Sequence, residues 1–189
     1  MQVIAITGTP GSGKSTLALA LNKRIKGSVL VDVNKLVKEK KLYSGRDKYG
    51  TLIVKLGALQ RELNVLVKKF VKTGHTVIIE GHLISDIRIR GAYVIVLRAH
   101  LKVLLERLKA RKYNVEKIRE NITAEALDYC GTSAANNYQD VYEILPTNKA
   151  DALKQALRII ENRPQGVKKQ IQLIYELPEI IKTDRKLAM

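Results

Sequence analysis

Gly8-Thr9-Pro10-Gly11-Ser12-Gly13-Lys14-Ser15 satisfies the pattern G-x-x-x-x-G-K-[ST] at every fixed position. It follows a short β-prone apolar run, Gln2 to Thr7, and opens a segment, Lys14 to Lys26, that places Leu17, Leu21 and Ile25 on one helical face. Strand, glycine loop and helix in that order make a phosphate-binding loop. Its glycines, Gly11 and Gly13 among them, let backbone N–H groups turn inward, and the helix N-terminus adds positive potential. Lys14 is then placed for the β- and γ-phosphates, the Ser15 hydroxyl for Mg²⁺ and the Thr16 hydroxyl for the α-phosphate.

Such a loop belongs to a parallel sheet, and the chain supplies the strands. Ser28 to Val33, Thr76 to Glu80, Tyr93 to Arg98 and Val141 to Leu145 read as further strands, two of them continuous apolar runs suited to burial on both faces. Between them lie helical patterns: a short basic one around Leu36 to Lys41, Ala58 to Lys72 ended by Gly74, Leu101 to Lys109, a helix from an Asn114 cap reaching toward Asn136, and Ala150 to Asn162. Tyr43 to Gly50 reads as a glycine-bearing loop. Alternation of five strands with helices predicts an α/β fold, a five-stranded parallel sheet flanked by helices. At 189 residues the chain suits one domain, residues 1–163, with an appended tail over 164–189. In that tail Val167, Ile171, Ile174 and Tyr175 suggest a helix broken at Pro178, either covering the core or meeting a partner.

Thirty-four Lys and Arg against 18 Asp and Glu give a net charge of +16. That field suits anionic partners, although a lysine-rich surface also arises in heat-adapted proteins. No run approaches the length of a membrane span, no leader precedes the first strand, and the single Cys130 fits a packing role in a reducing compartment. A soluble cytoplasmic protein without a membrane partner is expected.

Further site candidates lie at strand exits. Glu80 ends one strand and can orient the metal; Gly81 permits a tight turn; His82 then stands where an imidazole can orient water or shuttle a proton. Asp32 is either an acceptor-side carboxylate or a helix cap, and His75 and His100 read as surface residues. Arg98 to Arg119 holds eight Lys and Arg against two Glu, and within it Arg107 and Arg111 share a helical face if the helix continues. Arginines on a mobile segment can stabilise a transferring phosphoryl group.

Taken together, ITGTPGSGKST (Ile6 to Thr16), KLY (Lys41 to Tyr43), EGH (Glu80 to His82), VLR (Val96 to Arg98), ERLKARKYN (Glu106 to Asn114) and LPTNK (Leu145 to Lys149) resemble one family. It is the adenylate kinase isoenzyme six-like family, small archaeal and eukaryotic adenylate kinases and ATPases of small ribosomal subunit maturation. The resemblance covers about residues 1–160. It implies a P-loop NTPase of nucleoside monophosphate kinase type, with an acceptor segment near 32–54 and a lid near 110–120. It also implies ATP with Mg²⁺ as cofactor, AMP as acceptor, and ATP + AMP conversion to 2 ADP beside an ATPase activity. Implied catalytic residues are Lys14, Glu80, His82, Arg107 and Arg111; implied nucleotide-binding residues are Gly11, Gly13, Lys14, Ser15, Thr16, Arg111 and Asn148; Ser15 and Glu80 face the metal, the latter directly or through water. A platform protein of the small ribosomal subunit, with or without rRNA, is the implied partner. The alternatives are an ATP-driven assembly factor with weak kinase activity, or a kinase of another small acceptor. Glu80 stands where the family commonly has Asp, Lys35 where an acid is frequent, and Lys112 where glycine is frequent.

Overall fold

The computed structural model describes residues 1–48, 50–163, 171–184 and 187. In chain order the elements are β1 (Val3–Thr7), α1 (Lys14–Arg24), β2 (Ser28–Asp32), α2 (Val33–Glu39), β3 (Tyr43–Arg46), β4 (Leu52–Val54) and α3 (Leu56–Lys72). After these come β5 (Thr76–Glu80), a 3-10 turn (His82–Asp86), β6 (Ala92–Leu97), α4 (Leu101–Ala110), α5 (Val115–Ala126), α6 (Tyr129–Asn137), β7 (Val141–Ile144) and α7 (Lys149–Asn162). A second 3-10 turn (Ile174–Glu176) leads into α8 (Leu177–Thr183).

The main sheet is wholly parallel, in the order β2-β5-β1-β6-β7. Because β1 is central, the loop that leaves it emerges between the exits of β5 and β6. The chain runs outward to opposite edges from there, and the carboxyl ends of the strands open a crevice at that reversal. On one face α2, α3 and α6 bury Val33, Leu59, Leu63 and Ala134 against β1, β5 and β6; on the other α1 and α7 bury Leu17, Leu21, Ala156 and Ile159. A third cluster joins α4 and α5 through Leu104, Leu108, Ile118 and Ile122.

Three expectations need correction, and one alternative is resolved. The Tyr43–Gly50 stretch is not loop from its start: Tyr43 to Arg46 pairs antiparallel with Leu52 to Val54, held because Tyr43, Leu52 and Val54 pack onto the core. The helix from Asn114 does not run to Asn136. It stops at Ala126, and Asp128, in the left-handed region with φ 53°, accepts a hydrogen bond from the Gly131 N–H and starts α6 anew. Pro178 does not break a helix but sits in the first turn of α8, where its missing N–H has no intrahelical partner to lose. The tail covers the core: Leu173, Ile180 and Leu187 are buried in the third cluster, while Val167 lies outside the described residues. Among the described residues no helix is long and apolar enough to cross a membrane.

Candidate active site

The loop after β1 is built as its sequence requires. Gly8 has φ 139°, and a Cβ there would lie 2.3 Å from the Leu97 carbonyl oxygen, so only glycine lets the loop pass the end of β6. Gly13 sits at φ 110° as the residue before α1. Lys14 is buried, and its Nζ donates to the Thr9 carbonyl oxygen at 3.0 Å. Burial holds its ammonium below the ordinary lysine pKa. Ser15 Oγ donates to Glu80 Oε1 at 3.0 Å. Parallel pairing of Ile6 with Glu80 brings that carboxylate alongside the loop, and burial raises its pKa. A hydroxyl and a carboxylate oxygen at the phosphate end of the loop are the hard oxygen donors Mg²⁺ takes from a protein that leaves the remaining positions to phosphate and water. The set fits that ion.

Gly81 corrects an expectation. Its backbone is extended, so a turn does not explain it; a Cβ there would lie 2.7 Å from Val33 Cβ, and glycine lets β5 leave the sheet against α2. His82 follows, its carbonyl accepting from Thr7 Oγ1 at 3.1 Å and Ser85 Oγ at 2.9 Å. Burial, helped by the Lys14 charge, lowers its imidazole pKa from 6.5 to about 4, so the ring is neutral at pH 7.

Two clefts meet at the loop. The larger, about 650 Å³, is lined by the loop, Glu80, His82, Asp86, Asn34, Thr51, Arg111, Tyr113 and Lys117. The smaller, about 330 Å³, is bounded by Gly11, Ser12, Gly13, Thr16, Arg107, Arg111 and Pro146 to Lys149. Arg111 lines both. Ser12 Oγ is buried in the wall of the smaller cleft with no hydrogen-bond partner among the described residues. Of the sequence-derived candidates, Lys14, Ser15, Thr16, Glu80, His82 and Arg111 thus converge on one mouth. Asn148 reaches the smaller cleft, with its side-chain oxygen engaged by the Asp151 N–H as the cap of α7.

Arg107 and Arg111 stand one turn apart, the Arg111 N–H bonded to the Arg107 carbonyl, but the helix does not continue beyond them. α4 ends at Ala110, Arg111 is its C-cap, and Arg107 Nη1 donates to the Gly11 and Ser12 carbonyls at 3.2 and 3.1 Å. Lys112 adopts φ 57°, the left-handed conformation that accounts physically for a frequent glycine there. Asp32 caps α2 by accepting from the Lys35 N–H at 3.0 Å. Lys109 pairs with Asp184 at 2.6 Å, tying α4 to the tail, and His100 Nδ1 lies 2.6 Å from Glu176 Oε1.

The feature that sequence reading missed is Arg98. Counted there as one cation of the Arg98–Arg119 segment and as the end of the VLR motif, it is 1 % exposed. Its Nε donates to Glu125 Oε1 at 2.9 Å, its Nη2 to the Glu125 carbonyl at 2.7 Å, and its Nη1 lies 2.8 Å from Asp128 Oδ1 and 3.1 Å from Glu143 Oε2. Glu125 also accepts from Thr9 Oγ1 of the phosphate loop and from the Ala99 N–H, and Arg98 and Glu143 hold the Ile171 carbonyl and N–H. One buried guanidinium thus joins the loop, the α5–α6 corner, β7 and the tail. Burial, which outweighs the pull of Arg98, with help from Glu143, raises the Asp128 carboxyl to about 7. Arg98→Met should therefore cost about 3–5 kcal/mol by leaving carboxylates buried without their cation. Asp128→Asn, whose amide oxygen can still accept from Arg98 and from the Gly131 N–H, should cost less, about 1 kcal/mol. Denaturant unfolding of both variants checks this, and equal losses would contradict it.

Comparison with known proteins places this geometry. Residues 4–128 match the family model described as "AAA domain". Curated relatives described as "Putative adenylate kinase" include one from Methanocaldococcus jannaschii, 36 % identical over 77 % of each chain, and one from Pyrococcus furiosus, 36 % identical over 91 % of this chain and 89 % of its own. One from Methanosarcina barkeri is 35 % identical over 94 % and 92 %. Among solved structures, shikimate kinase from Bacteroides thetaiotaomicron aligns at a TM-score of 0.53 with 16 % identity over 85 % of this chain and 98 % of that one. Thymidylate kinase from Candida albicans aligns at 0.54 with 17 % identity over 86 % and 92 %. These distant likenesses show the P-loop kinase fold alone. The archaeal relatives are 35–36 % identical to this chain over 77–94 % of its length, and the chain belongs to their adenylate kinase isoenzyme six-like family of nucleoside monophosphate kinases.

Proposed function

We propose that the protein transfers the γ-phosphoryl group of ATP to AMP, giving two ADP, with Mg²⁺ as cofactor, that it also hydrolyses ATP, and that it acts in the cytoplasm in small ribosomal subunit maturation. The observation that carries the transfer reading is the pair of clefts meeting at one phosphate loop, with Arg111 on the wall of both. The smaller cleft takes the ATP nucleoside beside Asn148 and Thr16. Acceptor and reacting phosphates occupy the larger one, with residues 32–54 as acceptor segment and 110–120 as lid. Of the 164–189 extension, the described residues 171–184 and 187 brace the α4–α5 side of the core.

In this mechanism Gly11 and Gly13 present N–H groups to the phosphates, and Lys14 carries positive charge to the β- and γ-phosphates. Arg107 is a positioning residue: its guanidinium holds the Gly11 and Ser12 carbonyls so that the loop's N–H groups stay aimed inward. Ser15 and Glu80 would hold Mg²⁺, which would supply neutralisation of the charge that develops on the phosphates. During kinase turnover an AMP phosphate oxygen forms the new P–O bond as the bond from γ-phosphorus to the β–γ bridging oxygen breaks, and ADP leaves with that oxygen. Arg111 stabilises charge on the transferring group. During hydrolysis His82, neutral at pH 7, accepts a hydrogen bond from the attacking water and orients it.

The two reactions separate at His82. His82→Ala should depress hydrolysis at least about tenfold more than AMP phosphorylation, because general-base assistance is worth roughly 10²–10⁴ and the acceptor phosphate needs none. Steady-state rates with and without AMP check this; equal losses would indicate a shared structural or metal-site role. The ring also has a stability signature. Its pKa is depressed in the fold, so its contribution is complete above about pH 6.5 and is lost as pH falls toward 4. Subtracting the pH–stability curve of His82→Gln from that of the native protein should reveal about 2–3 kcal/mol lost across that window.

A second reading, an ATP-driven assembly factor whose kinase turnover is weak, is favoured by the +16 charge, which transfer to AMP does not require. A different small acceptor is a third reading. Measuring ADP formation from ATP alone, with each nucleoside monophosphate, and with the small-subunit platform protein present distinguishes all three.

A further inference from the structure

At the amino-terminal edge of the sheet, away from the phosphate loop, lies a groove of about 950 Å³, larger than either nucleotide cleft. Arg61 and Lys68 enter it from α3, Arg88 and Arg90 from the segment before β6, and Arg163 from the end of α7. These five cations face one carboxylate, Asp140. All five are exposed, and among the described residues none lies within 4.0 Å of an acid.

The groove is held in shape by groups that do not carry its charge. Gln60 Oε1 accepts from the Arg88 N–H at 2.7 Å, Asn64 Oδ1 accepts from the Arg90 N–H at 2.9 Å, and Asn64 Nδ2 donates to the Arg88 carbonyl at 3.1 Å. Ile89 between them is buried, which turns both arginine side chains outward. Arg163 adopts a left-handed backbone, φ 37°, and its guanidinium lies 4.9 Å from the Tyr93 ring centroid. A backbone conformation unfavourable for a non-glycine residue is kept here with a stacked cation at the groove wall. Two α3 side chains thus fix the backbone that presents two guanidiniums, and a third guanidinium is fixed on an aromatic ring.

From this juxtaposition we propose that the groove binds the backbone of a single-stranded nucleic acid. Four of the five cations are arginines, whose planar fork matches phosphate oxygens bidentately, and a single strand can turn its backbone into a recess of this kind while its bases stay outside. The site is independent of the nucleotide clefts and of the transfer reaction.

The test measures anisotropy of labelled decauridylate and decathymidylate with the full-length protein, keeping ADP in excess so that the phosphate loop is filled. Engagement of about four phosphates gives a log–log slope of affinity against salt near −3. Arg88→Ala/Arg90→Ala should weaken binding at least tenfold and shrink the slope by about 1.4, at about 0.7 per phosphate lost. Lys102→Ala/Lys182→Ala removes the same charge from exposed positions on α4 and α8 and should change affinity less than twofold. Unchanged ADP formation from ATP and AMP in both variants controls for folding. Equal weakening by the two pairs would overturn the proposal in favour of a diffuse field. Absence of binding at 50 mM salt, displacement by raised ADP, or preference for a deca-glutamate peptide over both oligonucleotides would overturn it as well.

Discussion

Lys14→Ala is expected to abolish measurable nucleotide turnover, a loss of at least about a thousandfold, while the fold survives. Removing a single preorganised donor from a site where charge develops costs on the order of 10²–10³, and a lysine aimed at the transferring phosphates supplies full charge as well as a donor. The structural cost is small by comparison. Lys14 Nζ makes one hydrogen bond, to the Thr9 carbonyl, and a bond of that kind is worth about 1–2 kcal/mol net. Burial lowers the ammonium pKa, so deleting the charge also removes a desolvation penalty. Lys14→Met keeps the apolar stem and should be as inactive as alanine, with an unfolding midpoint within a few degrees of native. Both ATPase and AMP-dependent ADP formation must fail together, since each needs the same phosphates in place. Turnover retained above a few per cent by either variant would remove Lys14 from the proposed chemistry.

What the sequence made legible follows from where the physical signal is local. Gly8 to Ser15 carries its own context, a strand before and a helix after, so the loop could be located and its lysine and serine assigned faces. Glu80 and His82 were legible because a continuous apolar run ends at Glu80, and in a parallel sheet that end faces the site. The Tyr43–Val54 hairpin was not, since its strands are three and four residues long and their pairing depends on contacts with a core built elsewhere. Nor was the Arg98 network. Arg98, Glu125 and Glu143 are far apart in sequence, and an arginine after an apolar strand looks the same whether it faces water or three carboxylates. Arg98 shows why charge counted along a segment overstates surface field: Arg107 holds loop carbonyls and Lys109 an aspartate, while Arg61, Arg88, Arg90 and Arg163 meet only in the fold.

Arg111→Ala is expected to lower kcat for AMP phosphorylation at least about a hundredfold while raising the ATP KM by less than tenfold. An arginine acting on the transferring group is worth on the order of 10³–10⁵ where that role is established, and the lower expectation reflects Lys14 remaining in the same mouth. Position supports the assignment. Arg111 is the C-cap of α4, so its backbone N–H still bonds to the Arg107 carbonyl at 3.2 Å while its side chain stands at the junction of the two clefts. Arg107, one turn earlier, has its Nη1 engaged with the loop carbonyls and serves geometry. The two variants should therefore differ in kind. Arg107→Ala lets the loop loosen and should raise the ATP KM with a smaller fall in kcat, whereas Arg111→Ala removes an interaction that strengthens as charge spreads over the γ-oxygens. Arg111→Lys tests whether charge alone suffices. A lysine in that position keeps the cation but loses the planar fork, so recovery should stay below about a tenth of native kcat. Full rescue by lysine would reduce the role to a general positive field, and a native kcat in Arg111→Ala would remove Arg111 from the transfer step.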